Sequence, residues 1–208
     1  MFNFPSLHTI ALTLPAIIIG LTFHEYAHGW VAKRLGDRTA EAHGRLTINP
    51  VAHLDPVGFI LLLLAGFGWA KPVPVNPYNL RGDIKQGMLL VSLAGPATNF
   101  FLAVASAVAL GLFGSMQIPY FNIIMQYMIV INVVLAIFNL IPIPPLDGSK
   151  ILAGLLPGRQ DWLDQLEAYG PILLIVLVFF GFRFISVLIN PVVNILILLA
   201  NIVAQLVR

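Results

Sequence analysis

The run His24-Glu25-Tyr26-Ala27-His28 sets two imidazoles four residues apart with a carboxylate between them. On a helix, residues four apart differ by one turn of rise and about 40° of rotation, so His24 and His28 stand one above the other and can aim at one ion. Glu25 lies about 100° around from His24, close enough to reach a water beside that ion without being a ligand. In zinc hydrolases this arrangement lets the metal acidify the water while the carboxylate takes its proton. Two His leave such a site one ligand short, because catalytic zinc usually has three protein ligands and one open position. Glu41, His43, His53 and Asp55 lie in the polar stretch that follows. Asp147 is the better third donor, since the run Pro142-Ile143-Pro144-Pro145 just before it ends a span near the inner face, the depth at which the first helix carries its His pair. The same aspartate could cap a short helix beginning near Gly148, and the two roles are compatible. The chain has no cysteine, which excludes a disulfide framework, a thiolate-held metal and a thiol nucleophile.

These residues must be carried by apolar elements. The chain is 59% hydrophobic and 10% charged, with a mean hydropathy of +0.91, whereas soluble domains carry about 25% charged residues. The composition is that of an all-α polytopic membrane protein. A net charge of +2 does not point to nucleic acid. A crossing helix needs about 20 apolar residues. Candidate spans run from about Leu7 to Leu35, Met88 to Phe113, Tyr120 to Ile141, Tyr169 to Phe182 and Ile185 to Val207, about five in all. Val57 to Ala70 is too short for a full span and is expected to re-enter or insert in part. Gly44 to Ile48 alternates like a short β-strand. Lys71-Pro72-Val73-Pro74-Val75-Asn76 is expected to be extended, as an edge strand or in polyproline geometry. One domain over residues 1–208 is expected, with a catalytic core of about 7–155 and two further membrane helices in about 165–207. The first apolar run reads as a retained helix rather than a cleaved signal, since no Lys or Arg precedes it.

With the amino terminus outside, Lys33, Arg34, Arg38, Arg45, Lys71, Arg81, Lys85, Lys150, Arg159 and Arg208 fall inside and only Arg183 outside. That is a strong positive-inside bias, provided that Val57 to Ala70 does not cross. The expected location is a prokaryotic plasma membrane, with the His pair and Asp147 both toward the cytoplasmic side. Three ionisable groups within a membrane helix are costly and mark function by default.

The two motifs together resemble the site-2 protease family of intramembrane metalloproteases. That family pairs His-Glu-x-x-His in one membrane helix with Asn-x-x-Pro-x-x-x-Leu-Asp-Gly in a later one. Here these are His24 to His28 and Asn139-Leu140-Ile141-Pro142-Ile143-Pro144-Pro145-Leu146-Asp147-Gly148, separated by a complete span. Ala94-Gly95-Pro96-Ala97-Thr98-Asn99 resembles a feature of the family's intervening helix. The resemblance covers roughly residues 10–155. It implies one Zn2+ held by His24, His28 and Asp147, with Glu25 as the acid/base. It also implies Asn139 near the scissile carbonyl as an oxyanion donor, although a polar residue joining packed helices would look the same. Asn99 and Gly95 are expected in close helix packing beside the site, with a substrate-binding role. The chain is expected to lack the PDZ or CBS domains of larger relatives.

The implied reaction is hydrolysis of peptide bonds in or near the transmembrane segments of other proteins within the bilayer. A helical substrate must be unwound first, and Gly44–Ile48 or Lys71–Asn76 could receive it as an added strand or simply pair with each other. Water needs a polar opening, expected near Gly36 to Asp55. His53 and Asp55 are expected to order this loop, and Asn190, Asn194 and Asn201 to hydrogen-bond between helices. The rival reading is a membrane metal-binding or transport protein without protease activity. Glu25 argues against it, since transit of an ion needs no proton acceptor beside it.

Overall fold

A computed structural model describes residues 6–65, 68–158, 161–177 and 181–207. The first helix, α1 (Leu7–Arg34), begins where the Ser6 side chain accepts the Thr9 N–H at 3.1 Å. It stops at Leu35 with Lys33 and Arg34 in its last turn. Gly36, with φ +111°, turns the chain away in a conformation that favours glycine. After the short α2 (Thr39–Ala42) and a 3-10 turn over Pro50–Ala52 comes α3 (Pro56–Ala65). Then follow an extended stretch and α4 (Ile84–Phe113), which starts one turn earlier than its apolar run because Asp83 accepts the Gln86 N–H at 2.9 Å. The chain ends in α5 (Phe121–Asn139), α6 (Asp147–Leu155), α7 (Asp161–Glu167), α8 (Gly170–Val176) and α9 (Phe182–Leu206).

Among the described residues four helices are long and apolar enough to cross a bilayer: Leu7–Arg34, Ile84–Met116, Phe121–Asn139 and Ile185–Leu206. Of the expected span from Tyr169 to Phe182, α8 covers only seven residues, and residues 178–180 lie outside the described ones. The ten described residues of α3 rise about 15 Å, half the hydrocarbon thickness. Residues 66–67 of the segment expected to insert in part lie outside the described ones.

The expected strand is not formed: among the described residues β pairing is confined to one bridge, between Leu54 and Ala70. The alternation at Gly44–Ile48 misleads because the backbone groups a ladder would use are spent elsewhere. The Arg45 N–H goes to the Ala40 carbonyl at 2.8 Å, and the Thr47 carbonyl takes His53 Nε2 at 2.7 Å. The Arg45 side chain, not its backbone, reaches Lys71, donating to its carbonyl at 2.7 Å.

The fold is organised around α4, which packs on α1, α5, α6 and α9. Small residues let the backbones approach where lipid removes any hydrophobic drive between helices. Ala103 and Ala107 of α4 join Ile129 and Val133 of α5 and Ile185, Ile189, Leu196 and Ala200 of α9 in one buried cluster. Asn190, Asn194 and Asn201, expected to bond between helices, lie instead on the exposed face of α9. Their common periodicity marks a face without saying which way it turns.

Candidate metal centre

The imidazoles of α1 point into the bundle toward α4. His24 Nε2 and His28 Nε2 are 3.0 Å apart. Asp147 Oδ2 lies 3.1 Å from the first and 3.2 Å from the second. His24, Glu25 and His28 are all buried. No other His, Asp or Glu group of this kind occurs among the described residues.

The tautomers follow from the partners. His28 Nδ1 faces the Val91 carbonyl at 2.7 Å, an acceptor only, so that nitrogen carries the proton. His24 Nδ1 faces Asn99 Oδ1 at 2.6 Å. The Asn99 amide is oriented by Gly20, whose carbonyl takes Nδ2 at 3.0 Å, so its oxygen must be the atom turned to His24. His24 Nδ1 is therefore protonated as well. Two bare Nε2 lone pairs and a carboxylate oxygen then converge on one point. That is repulsive unless a cation sits between them, and tetrahedral ligands about 2.0–2.1 Å from zinc would be spaced about 3.3 Å apart. The donor set and its spacing fit one zinc ion.

The local chain geometry explains how each donor arrives. Leu146 occupies the N-cap position of α6 and Asp147 is its first residue, with the carboxylate turned to the histidines. Gly148 follows because the chain doubles back tightly: a Cβ there would lie 2.3 Å from the Ile141 carbonyl oxygen and 2.4 Å from that of Leu140. Lys85 at the start of α4 donates to the Leu156 carbonyl at 2.7 Å, tying down the far end of α6. Gly95 lies where the imidazoles pass α4, since a Cβ would fall 2.5 Å from both His24 Cε1 and His28 Nε2.

The other residues singled out in the sequence fall as follows. Glu25 Oε2 accepts the Val73 N–H at 2.8 Å, so the extended stretch after α3 runs beside this carboxylate. Asn139 ends α5 and donates one amide hydrogen to the Leu135 carbonyl at 3.0 Å. Asn99 is wholly buried, its amide bonded to His24, Gly20 and Asn132. Asp55 accepts the Gly58 N–H at 2.8 Å and starts α3, while His43 stays on its own turn. The expected polar opening near Gly36 exists as a cavity of about 620 Å3, but Tyr26 and Trp30 wall it, on the side of α1 away from His24.

Three groups were not anticipated. Asn132 is fully buried and takes Asn99 Nδ2 at 2.9 Å, while its own Nδ2 goes to the Met128 carbonyl at 2.9 Å, so a chain of amides backs His24. A polar residue inside an apolar span, seven before Asn139 on the same helix face, was the available signal. The Val91 carbonyl carried no signal at all. Asp37 accepts from the Thr39 hydroxyl, the Asn76 N–H at 2.7 Å and the Asn79 amide at 3.1 Å, pinning the extended stretch against the end of α1. Burial alone would raise its carboxyl pKa, but these hydrogen bonds outweigh that and hold it below the usual range.

A membrane bundle with a buried His-His-Asp centre and an adjacent carboxylate defines a class, the membrane metal hydrolases. Residues 115–182 match peptidase family M50. "Putative zinc metalloprotease YwhC" of Bacillus subtilis is 44% identical over 169 residues, covering 77% of this chain and 77% of that protein. Two proteins with names of the same form are also similar. Rip2 of Mycolicibacterium smegmatis is 31% identical over 80% of this chain and 66% of its own length. MJ0611 of Methanocaldococcus jannaschii is 32% identical over 73% of this chain and 75% of its own. No solved structure matches the chain. The chain belongs to peptidase family M50, the site-2 protease family, and is an integral membrane zinc metalloprotease.

Proposed function

We propose that the chain hydrolyses peptide bonds in or beside the transmembrane segments of other membrane proteins, as one catalytic unit with its core in about residues 7–155. In this reading His24, His28 and Asp147 hold the zinc, Glu25 is the acid/base and Asn139 is the oxyanion donor. The observation that carries it is the convergence of the three donor atoms within 3.0–3.2 Å of one another, buried between α1, α4 and α6. A bound zinc ion supplies Lewis acidity toward a carbonyl and toward water. Glu25 takes the proton of the attacking water and delivers it to the leaving amine nitrogen. The Val73 N–H, bonded to Oε2, holds the Glu25 carboxylate in place. Asn139 has spent one amide hydrogen on Leu135 and keeps the other for the developing oxyanion.

Asn99 and Gly95 act on the ligands rather than on substrate: the first fixes the His24 tautomer and the second makes room for both rings. An unwound substrate lies along Lys71–Asn76. The support for this is that Val73 borders the catalytic carboxylate and that Pro72 and Pro74 hold the stretch extended. The site faces the cytoplasm of a prokaryotic cell and the amino terminus lies outside, on the positive-inside distribution of Lys and Arg.

The test is cleavage of a panel of single-span membrane proteins in detergent. Cleavage should cease when a chelator strips the zinc and return when zinc is restored. Undiminished cleavage by the stripped protein would sink the proposal.

Gly95→Ala probes the fit of α4 against the rings. At an unencumbered helix position this change would favour the helix by about 1 kcal/mol. Here the new methyl overlaps both imidazoles, and overpacking costs about 1–3 kcal/mol. Zinc affinity, measured by competition with a chromophoric chelator, is expected to fall at least about tenfold, as when an orienting group is lost. Unchanged affinity would show that the rings have slack against α4.

A further inference from the structure

The cavity of about 620 Å3 at the end of α1 belongs to no step described so far. At about 100° per residue, Tyr26 and Trp30 lie about 200° and 240° around the helix from His24. The cavity therefore opens on the side of α1 that faces away from the metal centre.

Its lining combines four cations, Lys33, Arg34, Arg38 and Arg81, with two aromatics, Tyr26 and Trp30, and Glu41 is the carboxylate among them. Glu41 is engaged, its Oε1 2.6 Å from Lys33 Nζ and its Oε2 3.9 Å from Arg38 Nε. Among the described residues neither Arg34 nor Arg81 lies within ion-pair distance of a carboxylate. Both are nevertheless held in place. The Arg34 guanidinium sits 4.8 Å above the Trp30 ring. The Arg81 N–H is bonded to the Leu35 carbonyl at 2.7 Å, and its side chain lies across Gly36, where a Cβ would come within 2.8 Å of Cγ. Two arginines whose stems are placed by Trp30 and Gly36 and whose guanidiniums have no described carboxylate within ion-pair distance keep their forked N–H donors for an outside anion, and that fork matches a phosphate.

The position selects the source of that anion. Lys33 and Arg34 end a membrane helix, and Trp30, 43% exposed one turn earlier, stands at the depth where aromatic residues meet the headgroups. An acidic stretch of substrate would have to lie on the catalytic side of α1, which this cavity does not share. We infer that the cavity at the end of α1 is a binding site for the headgroup of an anionic phospholipid, with Arg34 and Arg81 on the phosphate and Trp30 at the glycerol level.

The probe is Trp30 fluorescence in a Trp69→Phe/Trp162→Phe protein, reconstituted in phosphatidylcholine vesicles containing a minority of dibrominated lipid. Dibrominated phosphatidylglycerol is expected to quench Trp30 more than dibrominated phosphatidylcholine does at the same fraction. Each surface cation is worth roughly fivefold in binding, so Arg34→Gln/Arg81→Gln should weaken the preference for the anionic lipid roughly 25-fold. Lys150→Gln, which removes a cation outside the cavity, should leave it unchanged. Equal quenching by the two lipids in the wild type overturns the site. An equal loss in Lys150→Gln reduces the effect to general surface charge and overturns it too. Abolition of the preference by millimolar inorganic phosphate reassigns the site to a free phosphate and overturns the lipid. Because the readout is binding, a failure here leaves the cleavage test untouched, and the reverse holds as well.

Discussion

Glu25→Gln is expected to leave zinc in place and to lower cleavage at least about 100-fold, within the 10²–10⁴ that a positioned acid/base contributes. The substitution is close to isosteric. Its amide oxygen can still accept the Val73 N–H that Oε2 now accepts at 2.8 Å, so the extended stretch beside α1 should keep its place. What disappears is the proton acceptor. Zinc content should match the wild type, because the three converging donors are His24, His28 and Asp147 and none is altered. Metal analysis and cleavage rate on the same preparation make the comparison. A variant that cleaves at the wild-type rate would remove Glu25 from the mechanism. Metal flux through proteoliposomes that survives this change, with no cleavage by the wild type, would return the chain to the transport reading.

The parts of this site that were legible in the sequence are those set by local rules. Helical periodicity puts His24 and His28 on one face whatever surrounds them, and a proline run must end α5 near the level of the histidines. Topology therefore brought Asp147 to their side of the membrane, and the family resemblance supplied its role as a ligand. Where a group is recruited across helices, the sequence was silent. The Val91 carbonyl is a backbone atom present at every position, and only the docking of α4 on α1 selects it for His28. Asn99 was visible as a buried polar residue, but its orientation depends on the Gly20 carbonyl and on Asn132, one on each neighbouring helix. The same limit explains α9. Asn190, Asn194 and Asn201 share a face by spacing, yet the aliphatic positions Ile185, Ile189 and Leu196 win the buried side. The strand at Gly44–Ile48 failed for a different reason. Alternation reports which side chains are apolar, whereas a ladder also needs free backbone donors and acceptors, and α2 and His53 had taken them.

Asp147→Ala should empty the site, a larger effect on metal than any change in the groups that orient the histidines. Those outer groups are worth about 10–100-fold in affinity. Asp147 differs from them in supplying one of three donors and the only negative charge among them. Without it, two neutral imidazoles would face each other through Nε2 lone pairs 3.0 Å apart, with Nδ1 committed on both rings to Asn99 and Val91. Neither ring can relieve this by exchanging tautomers, because the Val91 carbonyl and the oriented Asn99 oxygen only accept. Rotation or protonation of one ring is left, and either destroys the pair as a zinc ligand. The fold should persist, since the tight turn at Gly148 and the Lys85 bond to the far end of α6 do not involve the carboxylate. Thermal unfolding followed by circular dichroism should therefore show a helical protein. Zinc content should be far below stoichiometric and cleavage absent. Asp147→Glu, which keeps the charge on a longer arm, should recover part of the metal. Full zinc occupancy in Asp147→Ala would mean that the third donor is another residue and that the closeness of Asp147 Oδ2 to both histidines has a purely structural origin.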